Sequence, residues 1–162
     1  MKKILIAAGV LFFLILASAF GYVIFVNMQH GKNAGRNFGT MFNLERVAIA
    51  LEHYRAAHGE YPAAGTVAEL RAALGPLDIQ DGDWIDRWKH PFVVEVTREG
   101  YLLSSPGEDG EGGHEFDGPV SRPGHSITLR NGIFVQYYVR AEKAARDVEA
   151  RIAVARKPEA AK

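Results

Sequence analysis

The feature that most constrains this chain is an uninterrupted apolar run close to its N-terminus. The stretch Ile4–Val26 contains no charged side chain, and only Ser18 and Tyr22 carry polar groups within it. At a rise of about 1.5 Å per residue, a helix of this length crosses the roughly 30 Å hydrocarbon core of a bilayer. Lys2 and Lys3 precede the run and favour a cytoplasmic N-terminus with an exported remainder. The sequence therefore predicts a single-pass membrane anchor.

A cleaved signal peptide is the rival interpretation of the same run. The tripeptide Ala17-Ser18-Ala19 has the small-x-small form of a signal-peptidase site, and Ile4–Leu16 would be its apolar core. The apolar run nevertheless continues through Phe20–Val26, and cleavage would leave this apolar stub on a secreted protein. The length of the run therefore favours an anchor that is not cleaved.

Composition excludes several classes of function. The chain has 162 residues, of which 48% are apolar, so it can bury the core of one ordinary domain beside the anchor. Its formal net charge is zero, so no overall positive field attracts nucleic acid. It contains no cysteine, which removes disulfides, thiolate metal sites and a cysteine nucleophile. No G-x-S-x-G, H-E-x-x-H or phosphate-loop motif occurs, so we expect no enzymatic activity.

A polar segment and an amphipathic helix follow the anchor. Residues 29–40 are polar and punctuated by glycine, which is typical of a juxtamembrane hinge or of a weak helical extension. Apolar residues then recur at helical spacing and predict an amphipathic helix from about Phe42 to Ala57. Gly59 and the dipeptide Tyr61-Pro62 end it.

The middle of the exported part alternates between helix and strand signals. Thr66 and Glu69 form the capping box of a short second helix, which Gly75 ends. The segments Pro91–Val96 and Tyr101–Ser104 read as two antiparallel strands that are joined by a turn. No regular element fits the acidic, glycine-rich residues 105–118.

The C-terminal part predicts a hairpin and a charged helix. The dipeptide Asn131-Gly132 is a strong hairpin signal between the strands Ser126–Leu129 and Ile133–Val139. From Arg140 to Lys157 the composition favours a helix with charges on most faces and a sparse apolar stripe at Val148, Ile152 and Ala155. Such a helix is either a solvated one with internal ion pairs or a docking arm for a partner.

Four motifs follow one another in the exported part. They are the helix end Ala50-Leu51, Tyr54, Gly59 and Tyr61-Pro62, the segment Asp86-Arg87-Trp88-Lys89-His90-Pro91-Phe92, the strand Tyr101-Leu102, and the loop Ser105-Pro106-Gly107-Glu108-Asp109-Gly110 with Gly112-Gly113 and Asp117. In this order they resemble the C-terminal domain of the major pseudopilin of bacterial type II secretion, which belongs to the type IV pilin-like superfamily. We expect Asp86 to cap or turn the chain and Trp88 to pack under the loop.

The resemblance implies an α+β fold in which an amphipathic helix packs on a small antiparallel sheet. The corresponding domains are a transmembrane anchor (1–28), a juxtamembrane linker (29–40), a pseudopilin-like globular domain (41–139) and a C-terminal charged helix and tail (140–162). It also implies a non-enzymatic structural or interaction subunit of the bacterial inner membrane, with a periplasmic or extracellular domain. Its expected partners are other envelope or secretion-system proteins and, through the N-terminal helix, the lipid bilayer.

The anchor departs from the pseudopilin pattern. In that family a short basic leader ends in glycine before a phenylalanine, and a glutamate lies five residues into the mature helix. The apolar run here contains no acidic residue, and no such processing site precedes it. We therefore expect this helix to stay in the bilayer unprocessed.

The resemblance also implies a calcium ion at the acidic loop. Asp109 and Asp117 match two aspartate ligands of the family, and the carbonyl groups of Pro106 and Glu111 match main-chain ligands. Phe116 stands in place of a further acid. Calcium takes about six to eight hard oxygen ligands, and a glycine-rich loop allows carbonyl groups to converge. A solvated acidic loop without an ion is the alternative, and a calcium-dependent ligand-binding module at the cell surface is the alternative function.

Overall fold

The computed structural model describes the backbone of residues 2–75, 79–111, 118–121 and 124–157. These residues form an α+β fold with a long apolar N-terminal helix, a small mixed sheet and a C-terminal helix. The elements are α1 (Lys2–His58), α2 (Val67–Leu74), β1 (Val93–Val96), β2 (Tyr101–Ser105), β3 (Gly118–Val120), β4 (Ile127–Arg130), β5 (Ile133–Tyr138) and α3 (Glu142–Ala155). The chain divides into two compact units, Met1–Asn33 and Ala34–Lys162.

The first unit is the apolar part of α1. By length and composition, α1 is able to cross a membrane. Its described apolar side chains lie exposed, with Phe12 at 64%, Phe13 at 71% and Phe20 at 69% of their full accessible area. Because exposed aromatic side chains of this density are unfavourable in water, these values agree with a lipid-facing helix.

Residues 29–40 are helical, so the helical extension is observed rather than the hinge. The predicted amphipathic helix over Phe42–Ala57 is consequently the last part of α1 and not a separate element. Extending an existing helix costs less free energy than nucleating a new one. This difference outweighs the cost of about 1 kcal/mol for each of Gly31 and Gly35 in a helix.

The core of the second unit lies between the end of α1, the short helix α2, the helix α3 and one face of the sheet. The helical period predicts six apolar positions on this part of α1, of which Tyr54 is partly buried and the other five are buried. These five are Met41, Leu44, Val47, Ala48 and Leu51. Alternate residues of the strands complete the cluster, among them Val94, Leu103, Leu129 and Phe134.

The sheet has the strand order β1-β2-β4-β5-β3 among the described residues. Both predicted hairpins are confirmed, because β1 pairs with β2 and β4 pairs with β5 in antiparallel register. The prediction of a purely antiparallel sheet is wrong, since β3 pairs with β5 in parallel. The sequence does not predict β3, because this strand has only three residues and no alternation of apolar and polar side chains. It also includes Pro119, which an edge strand tolerates.

Helix α2 begins as the sequence predicts. The backbone N–H of Glu69 donates to the Thr66 hydroxyl over 3.2 Å, and the backbone N–H of Thr66 donates to the Glu69 carboxylate over 3.1 Å. The capping box is therefore complete. Leu70 and Leu74 are buried, as expected for the inward face of this helix.

Helix α3 is an integral part of the globular unit, although its sequence is mostly charged. Ala145, Val148 and Ile152 are buried, so the sparse apolar stripe is a packing face. Arg151 forms an ion pair with Glu45 of α1, and both guanidinium nitrogens Nε and Nη2 donate to that carboxylate. Helix α3 is therefore not a free docking arm, and it also carries the predicted internal ion pairs, since Arg146 pairs with Glu142 and Lys143 with Asp147 on its exposed face.

A buried carboxylate joins three distant segments to α1. The Glu52 side chain is fully buried and accepts hydrogen bonds from the Tyr61 hydroxyl (3.0 Å), the Tyr101 hydroxyl (3.1 Å) and Arg156 Nη2 (2.7 Å). Burial raises the pKa of the Tyr61 and Tyr101 hydroxyls, so both stay protonated as donors. The hydrogen bond to Glu52 raises the pKa of Arg156, which remains charged.

We predict that Arg156→Met lowers the free energy of unfolding by about 2 kcal/mol, because Glu52 then stays buried without its cation. The control is Arg146→Met, which removes a solvent-exposed pair with Glu142 and should cost less than about 0.5 kcal/mol. Urea unfolding of the full chain in detergent measures both changes. Equal losses in the two variants would contradict the role of Glu52.

Candidate functional site

The candidate site is the loop that leaves the end of β2, from Ser105 to Glu111. Its first three residues are buried and its last four are exposed. The sheet therefore holds the base of the loop, and its acidic tip faces solvent.

A buried aspartate fixes the base of this loop. Asp86 Oδ1 accepts the backbone N–H groups of Trp88 and His90, each over 2.8 Å. Asp86 Oδ2 accepts the Ser105 hydroxyl over 2.9 Å and the backbone N–H of Gly107 over 3.3 Å. One carboxylate therefore turns residues 86–90 and fastens them to the loop, which confirms the expectation that Asp86 turns the chain.

The loop is also held from two other sides. His90 Nδ1 donates to the carbonyl oxygen of Gly107 over 2.8 Å, and the backbone N–H of Glu108 donates to the carbonyl oxygen of Gly124 over 2.7 Å. Gly107 has a φ of +85°, and a Cβ there would lie 2.5 Å from the Gly124 oxygen. Only glycine fits both requirements, so the base of the loop has a single arrangement.

Two of the predicted calcium ligands, Asp109 and Glu111, lie in one turn at the tip of the loop. Asp109 Oδ1 accepts the backbone N–H of Glu111 over 3.2 Å, and both residues are exposed. Pro106 is buried at the base of the loop, and Asp117 lies outside the described residues.

Calcium fits this loop by the chemistry of its donors, since carboxylate and carbonyl oxygens are its preferred ligands. The described part contains the carboxylate of Asp109 and the carbonyl groups of Pro106 and Glu111. Within the part of the chain that the structure describes, no three His, Cys, Asp or Glu side chains converge as a metal site. These residues would hold a calcium ion only together with further oxygens.

Polar contacts between α1 and residues 80–88 escape sequence analysis. Asn43 Nδ2 donates to the carbonyl oxygens of Gly82 (3.0 Å) and Ile85 (2.9 Å), and Arg46 pairs with Asp83 over 2.7 Å. In the sequence these contacts are indicated only by polar residues next to the apolar positions of α1. Their partners cannot be predicted, because they lie about forty residues away. The helix therefore positions the segment that carries Asp86.

No protein-family model matches the chain, and no curated protein or solved structure shows significant similarity to it. The structure of the loop Ser105–Glu111 is that of a rigid base that presents an acidic tip to solvent.

We predict that Asp86→Asn lowers the free energy of unfolding by about 2–3 kcal/mol, because an amide NH₂ group would face backbone and hydroxyl donors in a buried place. Asp81→Asn is the matched control, since 87% of the Asp81 side chain is exposed and its ion pair with Arg71 lies at the surface. Urea unfolding gives the two free energies, and hydrogen exchange at Gly107 should increase in Asp86→Asn alone. Unchanged exchange at Gly107 would contradict the clamping role.

Proposed function

We propose that this chain is a non-enzymatic, membrane-anchored, pseudopilin-like structural or interaction subunit of the bacterial envelope, linked to type II secretion or a related pilus-like system. The observation that carries the proposal is helix α1. Its first part is apolar and exposed, and its last part provides the buried face of a small α+β unit. A chain built in this way presents a folded unit from a bilayer. We place the anchor in the inner membrane, with the N-terminus cytoplasmic and the folded unit periplasmic or extracellular.

The motifs that resemble the pseudopilin domain make the contacts that hold the fold. Tyr61 and Tyr101, from two of these motifs, meet at the Glu52 carboxylate. Asp86 and Ser105, from the other two, are hydrogen-bonded to each other over 2.9 Å. The motif order therefore has a structural reason in this chain, which supports the resemblance.

The ionisable groups that the fold buries serve structural bonds. Glu52 and Asp86, with residue exposures of 1% each, are surrounded by donors of their own chain. A catalytic carboxylate needs access to a substrate proton, and these two have their hydrogen-bonding positions occupied by protein groups. This arrangement supports a structural role rather than a catalytic one.

Crosslinking tests the interaction role. We expect a photo-reactive residue at Val93 or Ile133, two exposed apolar positions of the sheet, to form adducts with other envelope proteins or with a second copy. Lys143 of α3, whose side chain is 89% exposed, is the control position in the same folded unit. Absence of protein adducts from Val93 and Ile133 in intact cells, or an equal yield from Lys143, would count against the proposal.

A calcium-dependent ligand-binding module is the second candidate. The observation that favours it is the exposed pair of acids, Asp109 and Glu111, on a base that Asp86 and Gly107 fix. Rigid, preorganised loops lose less entropy when they bind an ion.

We predict that calcium at a hundredfold excess over its dissociation constant raises the melting temperature of the full chain in detergent by about 5–10 °C relative to chelator. Asp109→Asn should abolish most of the rise, whereas Glu99→Gln, an exposed acid in the turn between β1 and β2, should leave it intact. Identical melting with calcium and with chelator would remove the ion without affecting the structural proposal.

A further inference from the structure

Two arginines from distant parts of the sequence meet on α1. The backbone N–H of Arg87 donates to the Thr40 hydroxyl over 3.1 Å, which fixes the loop residue against the helix. The Arg87 side chain then runs across Gly39, where a Cβ would lie 2.6 Å from Nε. Arg36 lies three residues before Gly39, and residues at this spacing share one helix face. Arg36 and the side chain of Arg87 therefore lie on the same face of α1.

This pair of like charges has no acidic partner. Arg36 and Arg87 are both exposed, and neither takes part in an ion pair within the described ranges. Three other arginines of the same unit do have acidic partners: Arg46 pairs with Asp83, Arg151 with Glu45 and Arg156 with Glu52. Because like charges on one face of a helix repel, an anion that contacts both guanidinium groups would stabilise the fold.

The neighbouring residues also leave polar groups unsatisfied. Asn37, at 1% exposure, has no hydrogen-bond partner for either polar atom of its amide, and the indole N–H of Trp88 is buried without a partner. Buried polar groups are almost always paired in native structures. Within the part of the chain that the structure describes, Asn37 and Trp88 therefore keep polar atoms without a hydrogen-bond partner next to Arg36 and Arg87 in the sequence.

The chemistry of the missing partner follows from the donors and from the sequence. Two guanidinium groups match the oxygens of a phosphate group, which they bind in a bidentate way. Arg36 follows Val26, the last residue of the apolar run, by only ten residues, and Lys32 adds a positive charge between them. Basic residues next to a membrane helix attract anionic lipids. An inserted anchor also keeps headgroups at high local concentration.

We propose that Arg36 and Arg87 bind the headgroup phosphate of an anionic phospholipid. The inference rests on the membrane anchoring in the proposed function, but not on pseudopilin kinship or on any protein partner. Lipid at this place would tie the loop that carries Asp86 and Trp88 to the membrane surface.

Native mass spectrometry of the full chain tests this proposal. The protein is inserted into nanodiscs of equimolar phosphatidylglycerol and phosphatidylcholine, and the lipids that stay bound after release are counted. We expect phosphatidylglycerol to be enriched, and Arg36→Gln with Arg87→Gln to reduce the enrichment by about fivefold for each charge removed. The matched control, Arg98→Gln with Arg146→Gln, removes two exposed arginines that already have acidic partners and should leave the enrichment unchanged.

Three results would overturn the inference, and they are distinguishable. Failure of the chain to insert into nanodiscs removes the anchor and the lipid site together. Insertion with equal retention of both lipids, or with the same enrichment in the Arg36/Arg87 variant, removes only the lipid site. Complete displacement of phosphatidylglycerol by millimolar inorganic phosphate would identify a free-anion site instead.

Discussion

The structure depends on the carboxylate of Glu52 and on the donors that surround it. Apolar packing alone brings helix and sheet together without fixing which residues face each other. Hydrogen bonds from Tyr61, Tyr101 and Arg156 do fix this, because each donor must reach one buried carboxylate. The chain that follows α1, the strand β2 and the end of α3 are thereby aligned with one turn of α1. A buried charge of this kind is costly unless every bond is made, so it disfavours alternative packings.

Asp86 repeats this arrangement on a smaller scale. It has no exposed side-chain surface and gathers four donors from two segments, so residues 86–90 and the loop after β2 behave as one piece. Asn43 and Thr40 fasten that piece to α1. Helix α1 therefore holds residues 85–87 by hydrogen bonds, and Asp86 in turn holds the base of the loop that carries the acidic tip. The core and the loop are therefore both held by polar side chains of α1, the helix that begins as an apolar run.

Local signals predicted the local structure of this chain, whereas contacts between distant residues remained hidden. The Thr66 capping box, the Asn131-Gly132 turn and the helical period around Leu44 each depend on residues that are close in sequence. The continuity of α1 and the short strand β3 depend on partners elsewhere, and the sequence around them resembles a linker and a loop. At the candidate site the sequence indicated Asp109 and Glu111, but it could not show that Asp86 and His90 hold their base.

The distribution of charge in this chain depends on which acids and arginines form ion pairs. The net charge of zero could come from acids and bases that are mixed at the surface, but here many acids are consumed inside the fold by particular arginines. Glu45 pairs with Arg151 of α3, Glu52 pairs with Arg156 directly after α3, and Asp83 pairs with Arg46. Among the described residues Arg36 and Arg87 form no ion pair, and Arg36 lies close in sequence to the apolar run. A chain with no overall field can thus still carry a local positive one, and here Arg36 places positive charge close in sequence to the apolar run.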